Sequence, residues 1–392
     1  MDDVESRLGD VLGDPGWTVP PVDLADRVHR GVAVRRRRRR ALAYAAAACA
    51  VVLAVGVPVA WRQIGGGDQT VANSIDGLED LVDMPGSVAL PKETKDAGDF
   101  FPEALGEDGS VLGRSAKAKK LWETGPDGGS PRPLNADAGA TPATGSGIRV
   151  WPGANIVAPL YCQDQNGTTP VMPLNLVGSP FWVSGGTIVG SDPQMRPWTA
   201  KGCTQGAPVP GVSGEAVAFS YPDLFMADPF DPKGLRQVNV ESGEVAAQHP
   251  LPEGVNVRTA GEDRSQLWLA AANRDTFAWV ADGVLRTADR ADWQVTEGPR
   301  VGRAMELNWG GTGISANGRS QATHAQLGAH LTAGDRLIVY TGHGEFDEGP
   351  GWQSVVYDPR SGQSFEFQGV AYAAGDWLLW NDGTSYRLAR VR

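Results

Sequence analysis

The sequence predicts an all-β domain, a β-propeller of about six or seven blades, behind one N-terminal transmembrane helix and a short cytoplasmic tail. Three observations carry this expectation. Ala41–Trp61 is a 21-residue stretch with no charged side chain, directly preceded by six arginines. Beyond residue 87 the chain breaks into short apolar or alternating runs punctuated by Gly, Pro, Asp and Asn. The whole chain holds 51 Gly and 28 Pro, which suits many tight turns and few long helices. Finally, a strand–turn–strand unit recurs loosely through that region.

Residues 1–40 are too few to bury a core of their own. Val4, Leu8, Val11 and Leu12 fall on one face of a short helix that Gly13-Asp14-Pro15-Gly16 stops. Asp23 can cap a second helix with Leu24, Val28 and Val32 along one side. An apolar stripe without a core of its own suits a cytoplasmic partner, or the membrane surface.

Arg35, Arg36, Arg37, Arg38, Arg39 and Arg40 form the topology signal, since only Arg62 follows the span closely. The excess of positive charge keeps the N-terminus in the cytoplasm and sends the remainder across. At about 1.5 Å per helical residue, 41–61 reaches roughly 31 Å, the thickness of a bilayer's hydrocarbon core. Cleaved signals have a shorter n-region and an apolar core of about 7–15 residues, so an uncleaved single-pass anchor is expected. Residues 62–86, opening with Gly65-Gly66-Gly67, read as a linker in which Ile75, Leu78, Leu81 and Val82 form a helical turn or two before Pro85-Gly86. Residues 87–392 are the extracytoplasmic domain.

Residues 1–62 hold ten arginines and seven acids, a net +3, so the total of −11 leaves −14 for the remainder. An acidic exported part disfavours nucleic acid and anionic lipid as ligands. Of the chain's three cysteines Cys49 sits in the span, leaving Cys162 and Cys203 outside as candidates for a disulfide.

The recurring unit appears as KLWETGPDGGSPRPL (120–134), FWVSGGTIVG (181–190), LRQVNVESGEVAAQHPL (235–251), FAWVADGVLRTADRADWQV (277–295), SVVYDPRSGQSFEF (354–367) and WLLWNDGTSYRLARV (377–391). Ser242-Gly243 and Ser361-Gly362 occupy matching places. The spacing is uneven, which points to insertions, with Pro-rich 205–235 and Gly-rich 310–335 as the expected places. Four-stranded units of about 40–50 residues arranged radially account for the pattern, and a pair of β-sandwiches is the structural alternative. Trp and Tyr at strand centres are expected to pack between blades. The last strands, Asp376–Val391, are placed to close the ring on a strand from the start of the domain.

This layout resembles actinobacterial single-pass membrane proteins that carry an extracytoplasmic TolB-like or WD40-like β-propeller. The likeness lies in the head DLADRVHRGVAVRRRRRR (23–40), the Ala/Val-rich span, and the Trp-, Gly- and Asp-rich exported part. The resemblance implies a regulatory partner for residues 1–40, such as a sigma factor. The cytoplasmic part is shorter than a folded sigma-binding domain and lacks the paired Cys of the zinc-bearing kind.

Catalytic motifs are sparse. Gly211-Val212-Ser213-Gly214 has the wrong spacing for a nucleophile elbow, and no His-Glu-x-x-His or phosphate-binding loop occurs. His249, His324, His330 and His343 are scattered. Within TGHGEFDEGPG, His343, Glu345, Asp347 and Glu348 lie close enough to offer a weak divalent-metal candidate. Asp228 and Asp231 offer another acidic loop. Trp151, Trp182, Trp198, Trp309 and Trp352 are candidates to line a glycan or peptide pocket at one mouth of the ring.

The expected function is therefore non-catalytic, with no cofactor. A membrane-anchored propeller binds a protein, peptide or cell-wall ligand outside the cell. One alternative is a transmembrane regulator whose tail engages a sigma factor or other cytoplasmic partner. A propeller-type hydrolase or lyase is the second alternative.

Overall fold

The strand-forming texture of the C-terminal region resolves into seven small antiparallel sheets. The computed structural model describes residues 78–94, 98–115, 120–137, 142–153, 157–176, 181–191, 196–227, 234–252, 269–281, 283–301, 330–346, 349–382 and 385–392. Arg35–Arg40, the 41–61 span, the Val4, Leu8, Val11 and Leu12 stripe and residues 62–77 lie outside them. Among the described residues no helix is long and apolar enough to cross a membrane.

Six of the seven sheets are meanders whose strands run in chain order. Blade 1 comprises Gly98–Leu105, Val111–Ser115, Lys120–Thr124 and Arg132–Asp137, with the short strand Glu93–Thr94 added on its first edge. Blade 2 is Ala143–Gly145, Ile148–Pro152, Val157–Asp164 and Gly167–Leu176. Blade 3 is Phe181–Ser184, Thr187–Ser191, Pro197–Lys201 and Ala207–Pro208. Blade 4 is Glu215–Ser220, Asp223–Ala227, Gly234–Asn239 and Val245–Pro250. Blade 5 is Ala270–Ala272, Thr276–Ala281, Val284–Asp289 and Val295–Arg300, and blade 6 is His330–Ala333, Ile338–Phe346, Gly349–Tyr357 and Ser364–Gln368.

The final sheet explains how a linear chain makes a closed ring. Its strands Ala371–Ala374, Trp377–Asn381 and Tyr386–Arg390 come from the C-terminal end, and its outermost strand is Val88–Ala89. Val88 lies opposite Leu388 and Ala89 opposite Arg387, while Val82 bridges Val391. Leu78, Leu81 and Val82, on and just after a single 3-10 turn at Leu78–Asp80, are fully buried against Leu378, Trp380 and Ala389. The first strand of each blade touches the first strand of the next, and Ala371–Ala374 returns to Gly98–Leu105. The chain is a seven-bladed β-propeller.

Large aromatics fill the seams between blades, where most of the apolar area is removed from water. Trp122 packs with Tyr372 and Trp377 between blades 1 and 7, Trp279 with Phe225 between blades 4 and 5, and Trp380 with Val356 between blades 6 and 7. Cys162, on the third strand of blade 2, is joined by a disulfide to Cys203, in the last turn of blade 3, with the Cα atoms 5.2 Å apart. The expected insertion at 205–235 is not one: that stretch supplies the outer strand of blade 3 and inner strands of blade 4, and among its described prolines Pro208 sits in an edge strand and Pro210 and Pro222 in turns. Gly-rich 310–335 instead begins on the connection from blade 5 to blade 6, between Arg300 and His330, and ends in the first strand of blade 6, His330–Ala333, and its turn.

One turn is used three times, always between the third and fourth strands. In blades 4, 5 and 6 the amides of Asn239, Asp289 and Asp358 donate to the carbonyls of Glu244, Gln294 and Gln363. The amides of Gly243, Trp293 and Gly362 in turn donate to the carbonyls of Asn239, Asp289 and Asp358. The fifth residue is left-handed each time, with φ of 75° at Gly243, 58° at Trp293 and 73° at Gly362. Glycine adopts this conformation freely, whereas a side chain there costs about 1–2 kcal/mol.

Candidate functional site

The central channel is the natural place to look for chemistry, because seven first strands converge there. Those of blades 5 and 7 are nearly all alanine, and every residue of the first strand of blade 4 is buried. Blades 3 and 6 differ: Phe181–Ser184 and His330–Ala333 are half-exposed at every position. Phe181, Trp182, His330 and Thr332 therefore contribute to the accessible surface of these strands.

His330 sits at the seam with blade 7. Its Nε2 lies 3.1 Å from the carbonyl of Ala371, and its ring stacks on Tyr372 with centroids 4.6 Å apart and planes at 11°. Tyr372 is buried, and its hydroxyl points to the carbonyl of Pro102 at 3.5 Å. Burial pushes that phenol well above its ordinary range, and Tyr386 and Glu103 add to the effect.

Glu103 occupies a β-bulge in the first strand of blade 1, between the Pro102–Gly113 and Ala104–Leu112 pairs. Arg114 Nε donates to its Oε2 at 2.9 Å, and the carboxyl side chain is only 12 % exposed. Burial raises its pKa from 4.5 to about 6, more than the Arg114 charge and hydrogen bond lower it. Such a carboxyl holds or releases a proton near neutrality, but the described geometry gives it no nucleophile to serve.

Because the folded pKa lies above the unfolded one, Glu103 stabilises the fold below pH 4.5, and this contribution is lost as pH rises through about 6. The full swing is about 2 kcal/mol. Glu103→Gln is expected to gain stability relative to the wild type between pH 4.5 and 7, read from paired thermal melts. A difference that stays constant across that range contradicts the assignment.

A belt of polar contacts links the short first turns of the blades. Glu107 of blade 1 reaches blade 3, where Ser184 Oγ donates to Oε1 at 2.6 Å and the Gly185 amide to Oε2 at 3.0 Å. Tyr221 N of blade 4 donates to Ser184 Oγ at 3.2 Å. Arg290 of blade 5 pairs with Asp223 of blade 4. Asn273 Nδ2 donates to the Gly334 carbonyl of blade 6 at 2.7 Å, and Asp335 N to the Gly375 carbonyl of blade 7 at 2.6 Å.

Blade 2 joins through Asp108, which accepts from Gly147 N at 2.7 Å. Burial alone would raise the Asp108 carboxyl, but hydrogen bonds from Ser110 and Gly147 hold it below its usual range. Gly375 closes the circuit, since a Cβ there would come within 2.9 Å of the Glu107 carbonyl. Only glycine fits, both for that approach and for its φ of 52°.

Among the described residues, those singled out in the sequence do not converge on one site. His343 and Glu345 lie on a blade 6 strand opposite Trp352 and Pro350, whereas Asp347 and Glu348 lie outside the described residues. Among the described residues no group of three or more His, Cys, Asp or Glu is placed to hold a metal. Asp228, Asp231, His324 and Trp309 also fall outside them. Trp151 is buried at the seam of blades 1 and 2, while Trp182, Trp198 and Trp352 pack against seam clusters and stay half-exposed. Glu103 and Glu107 carry no motif; an acid between Pro and Ala in a largely apolar strand and a Gly-Glu-Asp-Gly turn are their only traces.

No family model matches the chain, and no curated protein matches it. Solved structures of similar fold include a catalytically inactive virginiamycin B lyase from Staphylococcus aureus with quinupristin, at 10 % identity and a TM-score of 0.45, covering 78 % of this chain and 98 % of that one. A chain of a mitotic checkpoint complex is similar at 10 % identity and a TM-score of 0.41, covering 78 % and 93 %. BamB from Moraxella catarrhalis is similar at 10 % identity and a TM-score of 0.33, covering 78 % and 84 %. At such identities the likeness concerns the fold alone.

Proposed function

We propose that this chain is a single-pass membrane protein that holds its propeller outside the cell, where the propeller binds a protein, peptide or cell-wall ligand without chemical conversion. The observation that carries the location is the Cys162–Cys203 disulfide, a bond that persists in oxidising compartments and rarely in the cytosol. The uncharged Ala41–Trp61 stretch behind six arginines supplies the tether and its direction. Binding is favoured over catalysis by the employment of three acids in structural contacts. Glu103 is held by Arg114, Glu107 by Ser184 and Gly185, and the buried Glu123 by Arg149 across the seam of blades 1 and 2.

A membrane-impermeant amine cross-linker applied to intact cells is expected to join the full chain, through exposed lysines such as Lys201, to an extracytoplasmic protein or to wall polymer. Recovery of cytoplasmic proteins alone in the cross-linked product contradicts the proposal.

A further inference from the structure

The third copy of the repeated turn departs from its sisters at one residue. Where blades 4 and 6 place Gly243 and Gly362, blade 5 places Trp293, in the left-handed conformation that side chains rarely adopt. The turn has the same two hydrogen bonds, so the backbone gains nothing from the tryptophan. What the residue adds is a ring inserted across the seam with blade 4. It lies on His249 with centroids 3.7 Å apart and planes at 8°, and within 5.6 Å of Phe277 and 6.5 Å of Phe225. Strain kept for one contact directs attention to that contact.

His249 is unusual in the same place. It lies on the outermost strand of blade 4 opposite Leu235, and its Nε2 is buried with no hydrogen-bond partner among the described residues. The neutral ring bears this at lower cost, because an unpaired ring nitrogen forfeits one hydrogen bond but carries no charge. A protonated ring has N–H groups on both nitrogens and a positive charge to solvate.

Among the described residues, the charged groups facing it are already committed. From blade 4, strand alternation puts Asp223 on the same face as Phe225, and it pairs with Arg290. From blade 5 come Arg290 itself, over the Phe225 ring at 5.1 Å, and Arg286, opposite Trp279 and paired with Glu297 at 3.3 Å. A proton on His249 thus meets two arginines whose carboxylates are taken.

We propose that the Trp293–His249 stack is an acid-sensitive latch across the seam of blades 4 and 5, closed while His249 is neutral and released when it takes a proton. Burial, with the Arg290 charge adding to it, lowers the proton affinity of this histidine in the folded chain. The sign follows from linkage. A depressed folded pKa gives stability that is complete above the unfolded value of about 6.5 and drains away as pH falls below it. The latch does not depend on where the protein resides.

The test uses the full chain in detergent, compared with His249→Phe, which keeps a flat ring on Trp293 and cannot titrate. Between pH 7.5 and 5.0 the wild type is expected to lose several degrees of Tm that the variant retains. Hydrogen exchange in the 289–295 turn, corrected for intrinsic pH effects, is expected to accelerate only in the wild type. Trp293→Gly, which restores the sister turns' residue and removes the stack, is expected to lose the acid response of that turn as well. An acid response of the same size in either variant as in the wild type overturns the proposal.

Discussion

Replacing Cys162 and Cys203 together with alanine is expected to lower the unfolding free energy by about 3–4 kcal/mol. The bond closes a loop across 41 positions of sequence, so its loss returns considerable freedom to the unfolded chain. Alanine is preferable to serine because Cys162 is fully buried among Leu160, Val171 and Ile188, where a hydroxyl would lack a partner. The bond also pins the last turn of blade 3 to the third strand of blade 2, at a seam where the outermost strand of blade 3 is just Ala207–Pro208. Guanidinium unfolding of the full chain in detergent measures the change from midpoint and slope together, the slope rising because the uncrosslinked unfolded chain exposes more surface. A loss below about 1 kcal/mol contradicts a structural role for the bond.

Asp358→Ala is expected to cost about 3–5 kcal/mol, the range for stripping one partner from a buried ion pair. Asp358 is wholly buried in the repeated turn of blade 6, and its Oδ2 accepts from Arg336 Nε at 3.0 Å, Arg336 Nη2 at 2.7 Å and Ser361 Oγ at 2.9 Å. Its Oδ1 accepts from Arg360 N at 2.9 Å, the bond that shapes the turn. Asn239 and Asp289 do the same work in the sister turns. Asp358→Asn keeps that acceptor and removes the charge, so it should cost less than alanine.

Burial alone would raise the Asp358 carboxyl, yet these hydrogen bonds and the Arg336 charge hold it below the usual carboxylate range. A depressed folded pKa makes the contribution complete above the ordinary carboxylate value and lost as pH falls through the folded one. The alanine penalty should therefore shrink in acid. A penalty independent of pH would show that the charge is unimportant, and a penalty equal for asparagine and alanine would show that the Oδ1 acceptor is.

The hairpin texture made the fold class legible, because a strand–turn–strand unit rich in Gly and Trp has few other ways to bury both faces. The blade count stayed open for a geometric reason. The hairpin at 181–190 joins the first and second strands of blade 3, that at 354–367 the third and fourth of blade 6, and that at 377–391 the second and third of blade 7. Distances between non-equivalent hairpins cannot be periodic.

Blade 2 supplied no recognisable unit, since Pro170 and Pro173 interrupt its last strand. Matching Ser-Gly pairs revealed two copies of the repeated turn, but Trp293 in the place of glycine hid the third. Cys162 and Cys203 could be paired on paper because no other cysteine lies beyond residue 61. Glu103 and Glu107 were invisible: one depends on a bulge in register, and the other on a partner 77 positions away.

The account rests on the propeller and the arginine run lying on opposite sides of a membrane. The direct measurement places a single new cysteine at Glu297, whose side chain is 70 % exposed, and treats intact cells with a membrane-impermeant maleimide. Labelling of Glu297→Cys in intact cells, no weaker than after lysis, is the predicted result. Labelling that appears only once the membrane is broken would put the propeller in the cytoplasm and remove the basis for an external ligand.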